Sequence, residues 1–164
     1  MSDISQGTVE VQAIRPPSRV SATWTGEHRF DTGRVDGASA RMDGSAKTGQ
    51  SPPDALLSAL ASCAGVDVVD ILGKRRTPVE RLVVDVEARR REEAPRRFEH
   101  ITLTFRVDGA GVERVHAERA VQLAFEKYCS VAASLSPDIV VDTIVVVNGE
   151  DGQTVRQKAW AQGA

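Results

Sequence analysis

The two cysteines of this 164-residue chain, Cys63 and Cys129, are the side chains best suited to nucleophilic or redox chemistry. If both thiols meet in the fold, the first can be oxidised to a sulfenic acid and the second can resolve that acid as a disulfide. Each cysteine taken alone is more typical of a small, inert core residue than of a nucleophile. Redox chemistry therefore depends on whether the fold brings the two sulfurs together.

Other catalytic motifs are absent from the sequence. There is no CxxC pair, which argues against thioredoxin-type exchange and against a zinc ribbon. His28, His100 and His116 do not have the spacing of metal ligands, and the GxSxG, Walker A and GxGxxG patterns do not occur. We therefore expect no metal site and no cofactor.

The first cysteine lies on the clearest predicted element, a helix that follows Ser51 and ends near Gly73. Ser51 is a suitable N-cap, and Asp54 lies in the first turn, where the helix dipole favours an anion. Apolar residues recur at three- and four-residue steps on two adjacent faces, which indicates a central helix. Cys63 is too far from the helix start for the dipole to acidify its thiol, and an ionised Asp67, four residues later, would oppose thiolate formation.

The remaining elements predict an α+β fold with largely antiparallel sheets, because a doubly wound fold would need more crossover helices. A second helix is predicted over residues 112–128, and the segment CSVAASLSP, which begins at Cys129, continues it for a turn or two. We expect one domain over residues 1–149 and a polar, loose tail over 150–164, in which Val155 and Trp160 could still dock. The predicted strands cover residues 8–13, 20–25, 34–42, 82–88, 101–107 and 139–147.

Composition and charge exclude several classes of protein. The 21 basic and 23 acidic residues give a formal net charge of −2, so the chain has no overall field that would attract nucleic acid or an anionic membrane. The segment RRREEAPRR carries charges of both signs and is interpreted as a solvated hairpin end.

The N-terminus MSDISQGTVE lacks the features of a secretory signal, and no membrane-spanning run is expected. We expect a cytoplasmic protein with reduced thiols.

Taken together, the segments around the two cysteines resemble the OsmC/Ohr family. SPPDALLSALASCAGVDVVDILGKRR is similar to the first-cysteine helix of that family, and EKYCSV is similar to the second-cysteine region of its OsmC-like branch. The pairing of RLVVDVEARRREEAP with FEHITLTFRV matches the intervening hairpin, and TWTGEHRFDTG is similar to the N-terminal strand and loop. The resemblance covers residues 8 to 147.

This resemblance implies an OsmC-like fold, an intertwined homodimer with paired central helices and sites at the dimer interface. It also implies a thiol-dependent peroxidase that reduces organic hydroperoxides and hydrogen peroxide, with Cys63 as the peroxidatic thiol and Cys129 as the resolving thiol. The implied partners are a peroxide and a dithiol reductant, either small or protein-borne.

The family pairs an arginine from the N-terminal strand–loop region with a glutamate before the cysteine helix. The resemblance implies Arg29 for the arginine, with Arg34 second, whereas the place of the glutamate is taken by Pro53. Asp54 is the nearest acid, but nine helical residues turn it about 180° away from Cys63. It would serve the site only from an irregular helix start or in the other subunit. Asp67 and Glu126 are possible supporting residues.

Two alternatives remain open at this point. The same thiols would also serve a low-turnover redox sensor or disulfide switch. Alternatively, the protein is a dimer with an apolar cleft that holds a hydrophobic ligand, and both cysteines are inert packing.

Overall fold

The computed structural model describes residues 16–157, which divide into two compact units, one ending at Ser51 and the other beginning at Pro52. The first unit is an antiparallel three-stranded meander in the order β1–β2–β3. Its strands are β1 (Val20–Trp24), β2 (Arg29–Arg34) and β3 (Ser39–Asp43).

The strand predicted over residues 20–25 is confirmed as β1, whereas the one predicted over 34–42 begins only at Ser39. Residues 35–38 form the turn between β2 and β3, where Asp36 has a positive φ of 62°. The strand predicted over residues 8–13 lies outside the described residues. That a single domain spans both units remains a prediction.

The carboxylate of Asp43 closes the loop that follows β3. It accepts hydrogen bonds from the Ser45 N–H at 2.8 Å, the Thr48 N–H at 3.0 Å and the Thr48 hydroxyl at 2.8 Å. The Ser45 N–H, with the other donors, lowers the pKa of Asp43 to about 2 and outweighs the effect of burial. The ionised carboxylate therefore stabilises this loop.

Replacing Asp43 by asparagine should lower the melting temperature of the protein by several degrees at neutral pH. The folded-state pKa lies below the ordinary value of 3.8, so the carboxylate contributes stability above that value and loses it as the pH falls towards about 2. Melts followed by circular dichroism should show a gap between parent and variant at pH 7 that closes in acid. The exposed acid Asp36, replaced by asparagine, is the control, and a gap that does not change with pH would contradict the assignment.

The second unit combines a long helix, two short ones and a four-stranded sheet in the order β4–β5–β6–β7. The strands are β4 (Arg81–Arg90), β5 (Phe98–Asp108), β6 (Val140–Val147) and β7 (Thr154–Gln157). The helices are α1 (Pro52–Lys74), α2 (Arg114–Leu123) and α3 (Ser130–Ala133), with a π-helical turn at Ala124–Tyr128 between the last two.

Helix α1 confirms the predicted central helix, with Ser51 just before its first residue. By length and composition alone it is also apolar enough to cross a bilayer. The sequence predicts no such segment, because none of its apolar runs approaches the roughly 18 residues that a spanning helix needs. The core helix of a soluble protein passes the same test, and Leu60, Val68 and other residues of α1 are buried in the core of this unit.

The sheet departs from the expected antiparallel arrangement at one place, because β6 pairs with β5 in parallel. Parallel neighbours need a crossover connection, and the segment that carries α2, the π-turn and α3 provides it. The hairpin β4–β5 is antiparallel, as predicted. β7 lies in the tail expected to be loose and pairs with β6, with Val155 opposite Thr143.

The core lies between α1, α2 and one face of this sheet. Phe105 on β5 is fully buried and contacts Phe125 edge to face, with ring centroids 6.4 Å apart. Leu60, Val68 and Val121 belong to the same cluster, and Cys129 is buried within it. The core therefore fixes the positions of both cysteine-bearing segments.

Candidate functional site

The two cysteines occupy different kinds of backbone. Cys63 lies in the middle of α1 and is partly exposed, whereas Cys129 is fully buried between the π-turn and α3. Cys129 has φ −68° and ψ 98°, which is extended, so the second helix does not continue through it as the sequence suggested.

A widened helical turn places Cys129. Its N–H donates to the Ala124 carbonyl at 2.8 Å, five residues back, which closes the π-turn. Such turns insert one extra residue into a helix and often occur at functional sites. Cys129 is then the N-cap of α3, and its sulfur accepts from the Ala132 N–H at 3.4 Å. The turn and the cap together fix the orientation of this side chain.

The fold brings the two sulfurs together. The Cys63 Sγ, the Cys129 Sγ and a carboxylate oxygen of Asp67 all lie within 4.8 Å of one another. Both thiols are free, and the Ser130 Oγ lies 3.9 Å from the Cys63 Sγ. Only a modest movement would join the sulfurs, because a disulfide needs a separation of about 2 Å.

The local hydrogen bonds favour a thiolate at Cys63. Burial acts to raise the pKa of this thiol, but hydrogen bonds from the Val131 N–H, the Cys129 thiol and the Ser130 hydroxyl together lower it. The charge of Asp67 acts in the opposite direction. The net effect is a pKa below the ordinary thiol value, so Cys63 is the more readily ionised of the two cysteines.

Cys129 has the opposite tendency. Burial raises the pKa of its thiol well above the ordinary value, and only the backbone N–H groups of Ala132 and Val131 act against this. The nearby Cys63 raises it further, because two thiolates at this distance repel each other. The pair thus consists of one accessible, acidified thiol and one buried, protonated thiol.

Asp67 is the third member of the cluster. Burial, together with the charge of Asp70, raises the pKa of its carboxyl group. Its Oδ2 atom is buried and has no hydrogen-bond partner among residues 16–157. The sequence predicted that Asp67 shares a helix face with Cys63, four residues away. Two thiols and a carboxylate form a donor set that could hold a soft divalent metal ion.

The two arginines chosen from the sequence lie in the first unit. Arg29 begins β2, is partly exposed and pairs with Glu27 at 3.4 Å. Its Nε atom is buried and has no hydrogen-bond partner within the described part of the chain. Arg34 ends β2 and is exposed. Their roles towards Cys63 remain predictions.

The other two acids considered from the sequence, Asp54 and Glu126, lie elsewhere in the second unit. Asp54 is exposed in the first turn of α1, which is regular from Pro52 onwards, so an irregular helix start does not redirect it towards Cys63. Glu126 is exposed, pairs with Arg119 at 3.2 Å and accepts from Gln122 at 2.6 Å. Neither acid belongs to the cluster around the sulfurs.

The donors that follow the second cysteine were not predicted from the sequence. The Ser130 hydroxyl and the Val131 N–H both act on Cys63, from the start of α3. The sequence has a serine, a favoured N-cap residue, at position 130, but the N-cap of α3 is Cys129, one residue earlier.

Comparison with known proteins identifies similar chains. The family model described as "OsmC-like protein" matches residues 43–144. Protein YhfA of Escherichia coli K12 is 46% identical over 95 residues, which cover 57% of this chain and 71% of that protein. A hypothetical protein from Aquifex aeolicus VF5 superposes with a TM-score of 0.74 at 30% identity, covering 82% of this chain and 98% of that one.

A more distant structure shares the fold alone. The organic hydroperoxide resistance protein OhrB of Bacillus subtilis has a TM-score of 0.53 and 18% identity, and the alignment covers 80% of this chain and 98% of that one.

Proposed function

Because the chain belongs to the OsmC-like family, we propose that it is a cysteine-based peroxidase that reduces organic hydroperoxides and hydrogen peroxide. The observation that carries this proposal is the convergence of the Cys63 and Cys129 sulfurs, which lie within 4.8 Å of each other. The name of the Bacillus subtilis structure, an organic hydroperoxide resistance protein, supports the same class of substrate.

The reaction has two chemical steps. The Cys63 thiolate attacks one peroxide oxygen and breaks the O–O bond, which leaves a sulfenic acid on Cys63 and an alkoxide or hydroxide that takes up a proton. The Cys129 sulfur then attacks the sulfenic sulfur, forms the disulfide and releases water. A small or protein-borne dithiol returns both residues to thiols by two exchange steps.

The environments of the thiols match these roles. The partly exposed Cys63 can meet a peroxide, and the donors around it favour the thiolate, which is the nucleophile. The buried Cys129 is shielded from the oxidant, yet it lies beside the sulfur on which it acts.

The attack needs a cation near Cys63, because a cation lowers the thiol pKa and stabilises the negative charge that develops on the leaving oxygen. We assign this role to the guanidinium of Arg29, with Arg34 as the second choice. Asp54 would replace the missing glutamate from the other subunit. The thiol cycle needs a reducing compartment, so the proposal includes a cytoplasmic location.

The decisive experiment follows thiols and turnover in the reduced protein. One equivalent of cumene hydroperoxide should consume both thiols of each chain, and excess dithiothreitol should support repeated turnover with either cumene hydroperoxide or hydrogen peroxide. A single stoichiometric oxidation without turnover would instead indicate a redox sensor. An unchanged thiol count would refute the peroxidase and favour a ligand-binding dimer.

A second copy of the chain is the proposed partner. Helix α1 leaves Val66 60% exposed and Val69 42% exposed, and both line an apolar groove with Leu82 and Val84 of β4. A soluble protein rarely leaves such a patch in water, and family resemblance implies that the central helices pair in a homodimer.

Replacing Val66 by glutamate should convert the dimer into a monomer. The substitution places a charge in the apolar face but disturbs little of the isolated chain, because Val66 is exposed there. Light scattering should give twice 17.7 kDa for the parent and 17.7 kDa for the variant. The control is Val115→Glu on α2, where Val115 is 63% exposed. A monomeric parent, or equal behaviour of the two variants, would contradict the pairing.

A further inference from the structure

The cluster of Cys63, Cys129 and Asp67 has a second chemical capacity besides thiol oxidation. It brings three groups that are anionic when deprotonated to within 4.8 Å of one another, in a partly or fully buried setting. Collecting such groups away from water is costly unless a cation balances them. The arrangement is therefore suited to a positive ion at its centre.

A carboxylate oxygen of Asp67 also favours a bound cation. The Oδ2 atom of Asp67 is buried without a hydrogen-bond partner within residues 16–157. A buried acceptor with no donor costs about 1–3 kcal/mol, and more if it is charged. A metal ion held between this carboxylate and the two sulfurs would satisfy that oxygen.

We propose that the reduced protein binds Zn²⁺, as the representative soft divalent cation, through the Cys63 and Cys129 sulfurs and the Asp67 carboxylate. No motif in the linear sequence indicates this site, because its third ligand comes from a distant segment. The site does not depend on the proposed peroxidase activity, although both use the same thiols.

The backbone supports the ligand geometry. Cys63 and Asp67 are four residues apart on α1, a spacing that places two side chains side by side and that helical zinc ligands use elsewhere. Zinc bonds of about 2.3 Å to sulfur and about 2.0 Å to oxygen bring tetrahedral ligands to roughly 3.5–3.8 Å from one another. The distances in the cluster, none above 4.8 Å, need to shorten by at most about 1.3 Å to reach these values.

Three protein ligands leave one tetrahedral position open. Sites of this kind keep a water or an exogenous ligand in the fourth position and do not form the closed four-ligand cage of a structural zinc. Cys63 and Asp67 are partly exposed, so the ion can enter and leave from their side. The structure thus favours an exchangeable site, which would compete with peroxide for the Cys63 thiolate.

Oxidation would release the metal. Two zinc-bound thiolates, one hydroperoxide and two protons yield one disulfide, one alcohol, one water and free Zn²⁺. The disulfide has no thiolate left to bind the ion. Binding should be restricted to the reduced protein.

The test is a titration of the reduced protein with Zn²⁺ against a chromophoric chelator. We expect one ion per chain, a loss of affinity of about 100-fold or more in Cys63→Ser and Cys129→Ser, and a loss of at least about tenfold in Asp67→Asn. Asp70→Asn, which removes an exposed acid one turn further along α1, is the matched control and should bind like the parent. The disulfide form should not bind.

Cobalt gives a second readout that does not require activity. Co²⁺ in the reduced parent should show thiolate-to-metal charge-transfer absorption, which each Cys→Ser variant should weaken. Equal zinc affinity of Asp67→Asn and Asp70→Asn, or binding that survives disulfide formation, would overturn the proposal.

The outcomes also separate this site from the proposed function. Loss of the Asp67 charge should weaken zinc binding, whereas it should assist thiolate formation at Cys63 and speed its oxidation. A protein that binds zinc without peroxide turnover would support the metal site alone. A protein that turns over peroxide but binds no zinc would support the peroxidase alone.

Discussion

Replacing Cys63 by serine should lower the rate of peroxide reduction by at least about 1,000-fold, since removal of a catalytic nucleophile costs this much or more. The serine hydroxyl is not ionised near neutral pH and does not form a sulfenic acid. Stopped-flow mixing of the reduced variant with cumene hydroperoxide, with free thiols counted over time, would measure the loss.

The state of Cys129 in the Cys63→Ser variant shows which sulfur reacts with peroxide. In Cys63→Ser, Cys129 should stay reduced, because it is buried and its pKa lies well above the ordinary thiol value. The control is Ser62→Ala, which alters the neighbouring exposed residue, whose hydroxyl bonds to the Ser58 carbonyl at 2.8 Å. Oxidation of Cys63→Ser at the parent rate would assign the reactive sulfur to Cys129 and reverse the proposed roles of the two thiols.

Elements in which apolar residues recur at regular intervals could be predicted from the sequence. Helix α1 is indicated by its N-terminal pattern and apolar repeat, and the β4–β5 hairpin by alternation on both strands. These signals are local, so they need no knowledge of the partner that each element contacts. The proximity of Asp67 to Cys63 is equally local, because it follows from a four-residue step on one helix.

Features that depend on distant contacts could not be predicted in this way. The β-branched run that forms β6 is compatible with either strand direction, and only the crossover through α2 makes its pairing with β5 parallel. The break at Cys129 was hidden because the apolar pattern of α2 continues through the π-turn. The meeting of the sulfurs depends on how α1 packs against α3, and only the family resemblance indicated it.

The choice of arginine also could not be made from local sequence patterns. Arg29 was chosen because the resemblance places an arginine in the N-terminal strand and loop. The structure adds that its guanidinium is partly buried and paired with Glu27. The proposed action of Arg29 or Arg34 on Cys63 depends on contacts between distant segments, which no local sequence pattern encodes.

The second large effect is expected from Cys129→Ser, which should separate the two steps of the reaction. The variant should react with the first equivalent of peroxide, because Cys63 is retained, but it has no sulfur to resolve the sulfenic acid. Trapping with dimedone should give at least about tenfold more adduct at Cys63 than in the parent, and excess peroxide should convert Cys63 to the sulfinic acid.

Serine is the appropriate replacement on structural grounds. Cys129 is the N-cap of α3, where its sulfur accepts from the Ala132 N–H, and a serine oxygen fills that role well. The variant should therefore keep the start of α3 and the donors Ser130 and Val131 that act on Cys63. Circular dichroism should match the parent, which separates loss of the resolving sulfur from loss of the fold. If Cys129→Ser formed no more adduct than the parent and still cycled fully with dithiothreitol, Cys129 would have no part in resolution and the intramolecular disulfide would be wrong.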